Sequence, residues 1–248
     1  MYDDSMLIRG LSALGIIASD EQLSQLHHYY EMMVETNRVM NLTAITEYED
    51  VCVKHWLDSL CLVKVLPGLV SGDALSVIDI GTGAGFPGVP LKILFPQIRL
   101  TLLDSLGKRI TFLERVVAEC GLKDVTCLHA RAEEYSRKAE HREQYDVCVS
   151  RAVTRLASLT ELCLPYVKVG GRFVPYKSGD CAEEVAEAGF AIATLGGKLE
   201  ETASFVVPES DLGRKLLVIS KKRSTDKKYP RVGGKPMKSP IVSRETLG

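Results

Sequence analysis

The chain has 248 residues, 46% of them hydrophobic and 25% charged, with a formal net charge of −1. That length suits one large α/β domain with a smaller appendage, and that hydrophobic share builds a real core, which excludes a disordered or fibrous chain. No run approaches the roughly 18 apolar residues of a membrane span and the N-terminus carries no signal-peptide pattern, so a soluble cytoplasmic protein is expected.

Residues 5–66 read as helices. Ser19 and Gln22 make a capping box, after which Leu23, Leu26, Tyr30, Met33 and Val34 repeat at helical spacing. The polar stretch NRVMNLTAI, 37–45, reads as a connection. Thr46 and Glu49 then make a second capping box, and the following helix carries Val53, Trp56, Leu57, Leu60 and Cys61 before stopping near Pro67-Gly68. Residues 1–70 are thus expected to form an N-terminal helical cap. On its second helix His55 lies three and four residues from Asp58 and Ser59, so the three share a face. They either order the cap against the main domain or stand on the rim of a ligand cleft.

From Leu75 the pattern changes to strands alternating with helices, which predicts a parallel sheet covered on both faces. Strands are expected at 75–80, 99–104, 125–128, 146–150 and 172–176. The helices between and after them are expected at about 88–95, 107–120, 154–167 and 180–195. Two last strands, near 198–206 and 214–221, suggest an antiparallel edge. Residues 71–222 form this domain.

The first strand runs into Asp79, Gly81, Gly83 and Gly85, with Phe86, Pro87 and Gly88 before the helix. Strand, glycine turn and helix present bare backbone to a nucleotide-like ligand. Gly83, Gly85 and Gly88 give the dinucleotide form G-x-G-x-x-G, which admits a nicotinamide-dependent oxidoreductase. Asp79 with Gly81, Gly83 and Gly85 gives instead the first motif of methyltransferases that use S-adenosylmethionine, whose ammonium and sulfonium suit an acid better than a pyrophosphate does. In such a sheet the ligand sits beyond the carboxyl ends of the strands. The candidates there are Asp104 and Ser105 after the second strand, Ala132 and Glu133 after the third, and Arg151 after the fourth. Asp104 suits ribose hydroxyls, Ala132-Glu133 the adenine amino edge, and Arg151 a cofactor carboxylate, a nucleic acid phosphate or a salt bridge.

The seven cysteines form no C-x-x-C pair and read as buried small hydrophobes in a reducing compartment. The five histidines lack ligand spacing, so no metal is expected. Residues 223–248 form a basic tail: from 221 onward there are nine Lys or Arg against two Asp or Glu, leaving a charge of −8 on the rest of the chain. Lys227, Lys228 and Arg231 stand among Pro and Gly residues, a composition that builds no core of its own and is expected to be mobile or extended. It serves either solubility or a polyanion partner.

Seven stretches together resemble a known family. They are NLTAI (41–45), HWLDSL (55–60), DIGTGAGFPGVPLKI (79–93), LLDSLGKRITFL (102–113), ARAEE (130–134), SRAV (150–153) and the terminal YPR…GKP…SP. They run in order over nearly the whole chain and resemble the bacterial 16S ribosomal RNA methyltransferase G family, also called the glucose-inhibited division protein B family. The resemblance implies a Rossmann-like, class I S-adenosylmethionine-dependent methyltransferase with a mostly parallel seven-stranded sheet. It implies methyl transfer to N7 of a guanine in small-subunit ribosomal RNA, with Gly81, Phe86, Ala132, Glu133 and Arg151 at the cofactor. Guanine N7 carries a lone pair and no proton, so no general acid or base is assigned. His55, Asp58, Arg151 and the tail cations are the candidates for placing RNA. A non-catalytic RNA-binding or ribosome-assembly protein on the same fold is the other alternative.

Overall fold

A computed structural model describes residues 2–243. The N-terminal part is helical: α1 (Ser5–Ala13), α2 (Asp20–Met40) and a run that opens as α3 (Tyr48–Val51), loosens into a π-turn (Cys52–Leu57), resumes as α4 (Asp58–Leu60) and tightens to a 3-10 turn (Cys61–Lys64). The Ser19–Gln22 capping box forms in both directions. The expected Thr46–Glu49 box does not form. The helix begins one residue later, with Glu47 at the N-cap and no side-chain cap, while the Thr46 carbonyl accepts a hydrogen bond from the Tyr30 hydroxyl at 2.8 Å.

The sheet is built from β1 (Ser76–Ile80), β2 (Arg99–Asp104), β3 (Val125–His129), β4 (Tyr145–Arg151), β5 (Val167–Ser178), β6 (Gly197–Val206) and β7 (Gly213–Lys221), in the order β3-β2-β1-β4-β5-β7-β6. The first five are parallel, and β7 runs antiparallel to both of its neighbours. The helices α5 (Gly88–Leu94), α6 (Gly107–Glu119), α7 (Ala132–Tyr135), α8 (Leu156–Cys163) and α9 (Ala182–Thr194) fill the connections. The helix expected at 154–167 stops early, because Leu164–Tyr166 tightens around Pro165 and Val167 already opens β5.

Two apolar clusters cover the two faces of the sheet. One joins the cap to the sheet, through Leu26, Tyr29, Trp56 and Leu57 with Leu100, Val147 and Val174. Each such fully buried aliphatic side chain contributes about 1.5–3 kcal/mol. The other packs Leu156, Leu159, Ala188 and Ile192 under Ile78 and Phe173. The chain starts the sheet in the middle at β1, works outward through β2 and β3, and returns beside β1 as β4. The strand order therefore reverses between β1 and β4, where open α/β sheets bind ligands.

Candidate active site

The glycine turn is braced from both sides. Asp79 is fully buried at the end of β1; its Oδ2 accepts hydrogen bonds from Thr82 Oγ1 (2.7 Å) and Gly88 N–H (2.9 Å). Burial pushes its carboxyl up to about 6. Asp79 thus shapes the turn from beneath, and the cleft above is lined by other residues. From the cap, the buried Tyr29 hydroxyl donates to the Ala84 carbonyl at 2.6 Å. Gly83 has φ +63° and nothing within 4 Å of where a Cβ would stand, so its backbone faces open space in a conformation that L side chains rarely adopt.

A cleft of about 340 Å³ opens above this turn, lined by Gly81, Asp104, Ser105, Ala132 and Glu133 among others. The five come from the ends of β1, β2 and β3, as the topology requires. Asp104 is 2% exposed and firmly oriented: Oδ2 accepts from Gly83 N–H (3.0 Å) and Arg109 Nη1 (3.2 Å), and Oδ1 from Leu106 N–H (2.9 Å). Glu133 stands in the first turn of α7 and is 6% exposed. Bare backbone at Gly81, an anchored carboxylate at Asp104 and a second carboxylate at Glu133 fit a cationic nucleoside such as S-adenosylmethionine.

A second cleft, of about 560 Å³, adjoins the first and is lined by His55, Asp58, Arg151, Tyr176 and Arg214. Arg151 stands here and not on the first cleft. Its Nη1 donates to Asp58 Oδ2 at 2.7 Å and to the Lys54 carbonyl at 3.1 Å, and its Nη2 meets His55 Nδ1 at 3.1 Å. Arg214 Nε donates to the other oxygen of Asp58 at 3.1 Å. Because Arg151 donates to Nδ1, the His55 proton sits on Nε2, which meets Thr43 Oγ1 at 2.9 Å. Burial and the Arg151 charge hold the imidazole down to about 3, so it is neutral. Phe86 is 5% exposed, stacks on His55 (centroids 4.2 Å apart) and lies 5.2 Å under the Arg151 guanidinium. It is therefore placed under the second cleft's polar network. Ala152 and Val153 line both clefts, and Ala152 has φ +55°, a conformation uncommon outside glycine.

His55 and Asp58 share a helix face as the spacing expects, and their contact with Arg151 is one that the sequence pattern does not announce. Thr43, Tyr29 and Arg214 were not anticipated. Arg214 carries no local signal, since it reaches Asp58 only because β7 inserts beside β5. A further hollow of about 400 Å³ lies by Asp146 and Arg172, at the opposite end of the strands.

The basic tail corrects the expectation of a mobile or extended arm. Its residues to 243 pack on the domain; residues 244–248 lie outside the described residues. Arg231 Nη2 and Nε grip Glu161, which is 0% exposed, at 2.7 and 3.0 Å. Arg142 donates to the carbonyls of Thr225 and Tyr229, and Lys221 to that of Leu164. A Pro/Gly-rich segment without a core of its own has borrowed the domain's. Arg231 is accordingly spent on an internal ion pair, whereas Lys227 and Lys228 remain exposed, the latter beside Asp226 and Tyr229.

The model of the rRNA small subunit methyltransferase G family matches residues 22–212. The ribosomal RNA small subunit methyltransferase G of Lachnoclostridium phytofermentans is 52% identical over 245 residues, covering 99% of this chain and 100% of that protein. That of Limosilactobacillus reuteri is 49% identical over 234 residues, covering 94% and 97%. Among solved structures, a Galdieria sulphuraria protein assigned as a sarcosine dimethylglycine methyltransferase superposes with a TM-score of 0.51 at 13% identity, over 66% of this chain and 85% of that one, a likeness of fold. With the seven-stranded topology and the length of the match in agreement, this chain belongs to the rRNA small subunit methyltransferase G family.

Proposed function

We propose that this S-adenosylmethionine-dependent rRNA methyltransferase modifies N7 of a guanine in small-subunit (16S) ribosomal RNA, by direct in-line attack without a general base. The observation that carries the reading is the pair of adjoining clefts sharing the Ala152–Val153 wall at the switch point of the sheet. The first cleft holds the cofactor: Asp104 accepts from the ribose hydroxyls, Glu133 takes the adenine amino edge, and the backbone at Gly81 and Gly83 allows close approach. The second receives the base. S-adenosylmethionine supplies an electrophilic methyl group on a sulfonium.

The polar groups of the second cleft suit placement better than proton transfer. His55 is neutral with both ring nitrogens engaged, and both Asp58 oxygens hold guanidinium groups. Guanine N7 needs no deprotonation. What these residues contribute is alignment of N7 with the methyl carbon at about 3–3.5 Å, a gain in orientation and avoided reorganisation. Lys227 and Lys228 meet RNA phosphates, which position the RNA without reading its sequence. The substrate is 16S ribosomal RNA, free or in the small subunit, and the cytoplasm is its setting; among the described residues no helix is long and apolar enough to cross a membrane.

The test is transfer of labelled methyl groups to small subunits from cells lacking this protein. The expected product is 7-methylguanosine at one site. Label in another nucleoside overturns the N7 assignment, and RNA binding without transfer supports a non-catalytic role instead.

A further inference from the structure

We infer that the C-terminal segment completes the cofactor cleft and that Met237 covers the face of the adenine ring there. The inference rests on the S-adenosylmethionine reading of that cleft. The family match ends at residue 212, yet Gly234 and Met237 line the same cleft as Asp104, Ala132 and Glu133.

The segment is fastened on each side of Met237. Ahead of it, Arg231 holds the buried Glu161 through Nε and Nη2 and also donates from Nη2 to the Ser239 carbonyl at 2.7 Å. Beyond it, Ile241 is 7% exposed and belongs to the apolar cluster under the sheet. Between them the short turn α10 (Lys235–Lys238) packs against α8, with Pro236 buried. The Gly234 N–H reaches Glu133 Oε1 at 3.3 Å, which ties the turn to the rim of the cleft.

Met237 is nevertheless 50% exposed. A large apolar side chain on a pinned turn, left open at the wall of a cleft, is surface that a ligand covers. The apolar neighbours it shares there are Leu162 from α8, Leu103 from β2 and the small Ala130 and Ala132. Glu133 supplies a carboxylate beside them. Apolar walls with one acceptor suit a flat heteroaromatic ring bearing an exocyclic amine. A thioether packs well against such a ring, and a carboxylate accepts an amine N–H. The part of the cofactor that fits is the adenine, common to S-adenosylmethionine and its demethylated product S-adenosylhomocysteine.

The experiment measures calorimetric affinities of the full chain for both compounds in the parent, Met237→Ala and Met237→Leu, with thermal unfolding of each unliganded variant. Met237→Ala is expected to weaken both compounds about two- to tenfold and equally, the range of a thioether–aromatic contact. Leu restores most of the loss, and the unliganded unfolding midpoints agree, since the side chain is half exposed. Parent-like affinities for Met237→Ala overturn the inference while leaving the cofactor reading intact. A loss that Leu does not restore, together with a lowered midpoint, also overturns it, because it marks a structural role. A parent protein that binds neither compound removes the cofactor reading and this inference with it.

Discussion

Replacing Arg151 by Ala tests the second cleft most directly. Asp58 is 3% exposed in its side chain and is neutralised from two directions, by Arg151 at 2.7 Å and Arg214 at 3.1 Å. Removing one partner of a buried pair costs about 3–5 kcal/mol. Arg214 stays in place and the Arg151 side chain is 15% exposed, so the lower end applies, about 3 kcal/mol. Loss of the cation over Phe86 adds about 0.5–1 kcal/mol. Urea unfolding should therefore show a loss of about 3.5–4 kcal/mol with an unchanged slope. Combining Asp58→Asn with Arg151→Ala in a double-mutant cycle should give a coupling of about 1–2 kcal/mol for this pair. Because Arg151 lines the second cleft, S-adenosylmethionine affinity should stay within about twofold while turnover on small subunits falls at least about tenfold. A coupling below about 0.5 kcal/mol would refute the charge argument. Loss of cofactor affinity in a stably folded variant would return Arg151 to the cofactor.

Asp104→Ala removes the acceptor proposed for the ribose and the clamp on Gly83 N–H, and should weaken S-adenosylmethionine by about 1–3 kcal/mol in calorimetry. For His55 the folded imidazole is held down to about 3 against an ordinary value of 6.5, so its stabilising effect is present above 6.5 and is lost as pH falls from there towards 3. Thermal unfolding of the parent should weaken over that window more steeply than that of His55→Gln, and turnover should show no inflection from His55 between about pH 5 and 9. Arg231→Ala leaves Glu161 buried without its partner and should cost about 3–5 kcal/mol of stability. Lys227→Ser and Lys228→Ser should instead leave stability unchanged and flatten the salt dependence of RNA binding, by roughly 0.7–0.9 in slope for each phosphate no longer neutralised.

The sheet was legible because its signals are local and repeated. Each parallel strand is an apolar run closed by a turn, and the ends of β1 to β4 carry the acids, glycines and arginine that the topology brings to one edge. Boundaries slipped where a tertiary contact outweighed a local preference. Thr46 has no capping box because the helix starts at Tyr48 with Glu47 at its N-cap, while Tyr30 bonds the Thr46 carbonyl. Asp79, read as a partner for a cation, has its Oδ2 engaged by Thr82 and Gly88, a contact that no local pattern announces. The tail misled most. Its composition predicts no core of its own, but composition says nothing of a core supplied by another part of the chain, and Glu161 and Arg142 stand far from it in sequence.

The wall between the two clefts shows what the glycine motif does beyond admitting a ligand. β1 and β4 are adjacent, with Asp79 opposite Val149, so their carboxyl ends lie one strand spacing apart, about 4.8 Å. Gly81 leaves the end of β1 and Ala152–Val153 the end of β4. A Cβ on Gly81 would come within 2.5 Å of Val153 Cγ2, so the absence of that carbon lets Val153 settle against the turn. Ala152 meanwhile holds φ +55°, at a cost of about 1 kcal/mol or more that the surrounding packing sustains. The separation of the two clefts is thus set by backbone on two neighbouring strands and by one close contact. An in-line transfer that tolerates little misplacement gains more from such a wall than from mobile side chains. The residue types at 81 and at 150–153 answer to that distance as much as to any contact with a ligand.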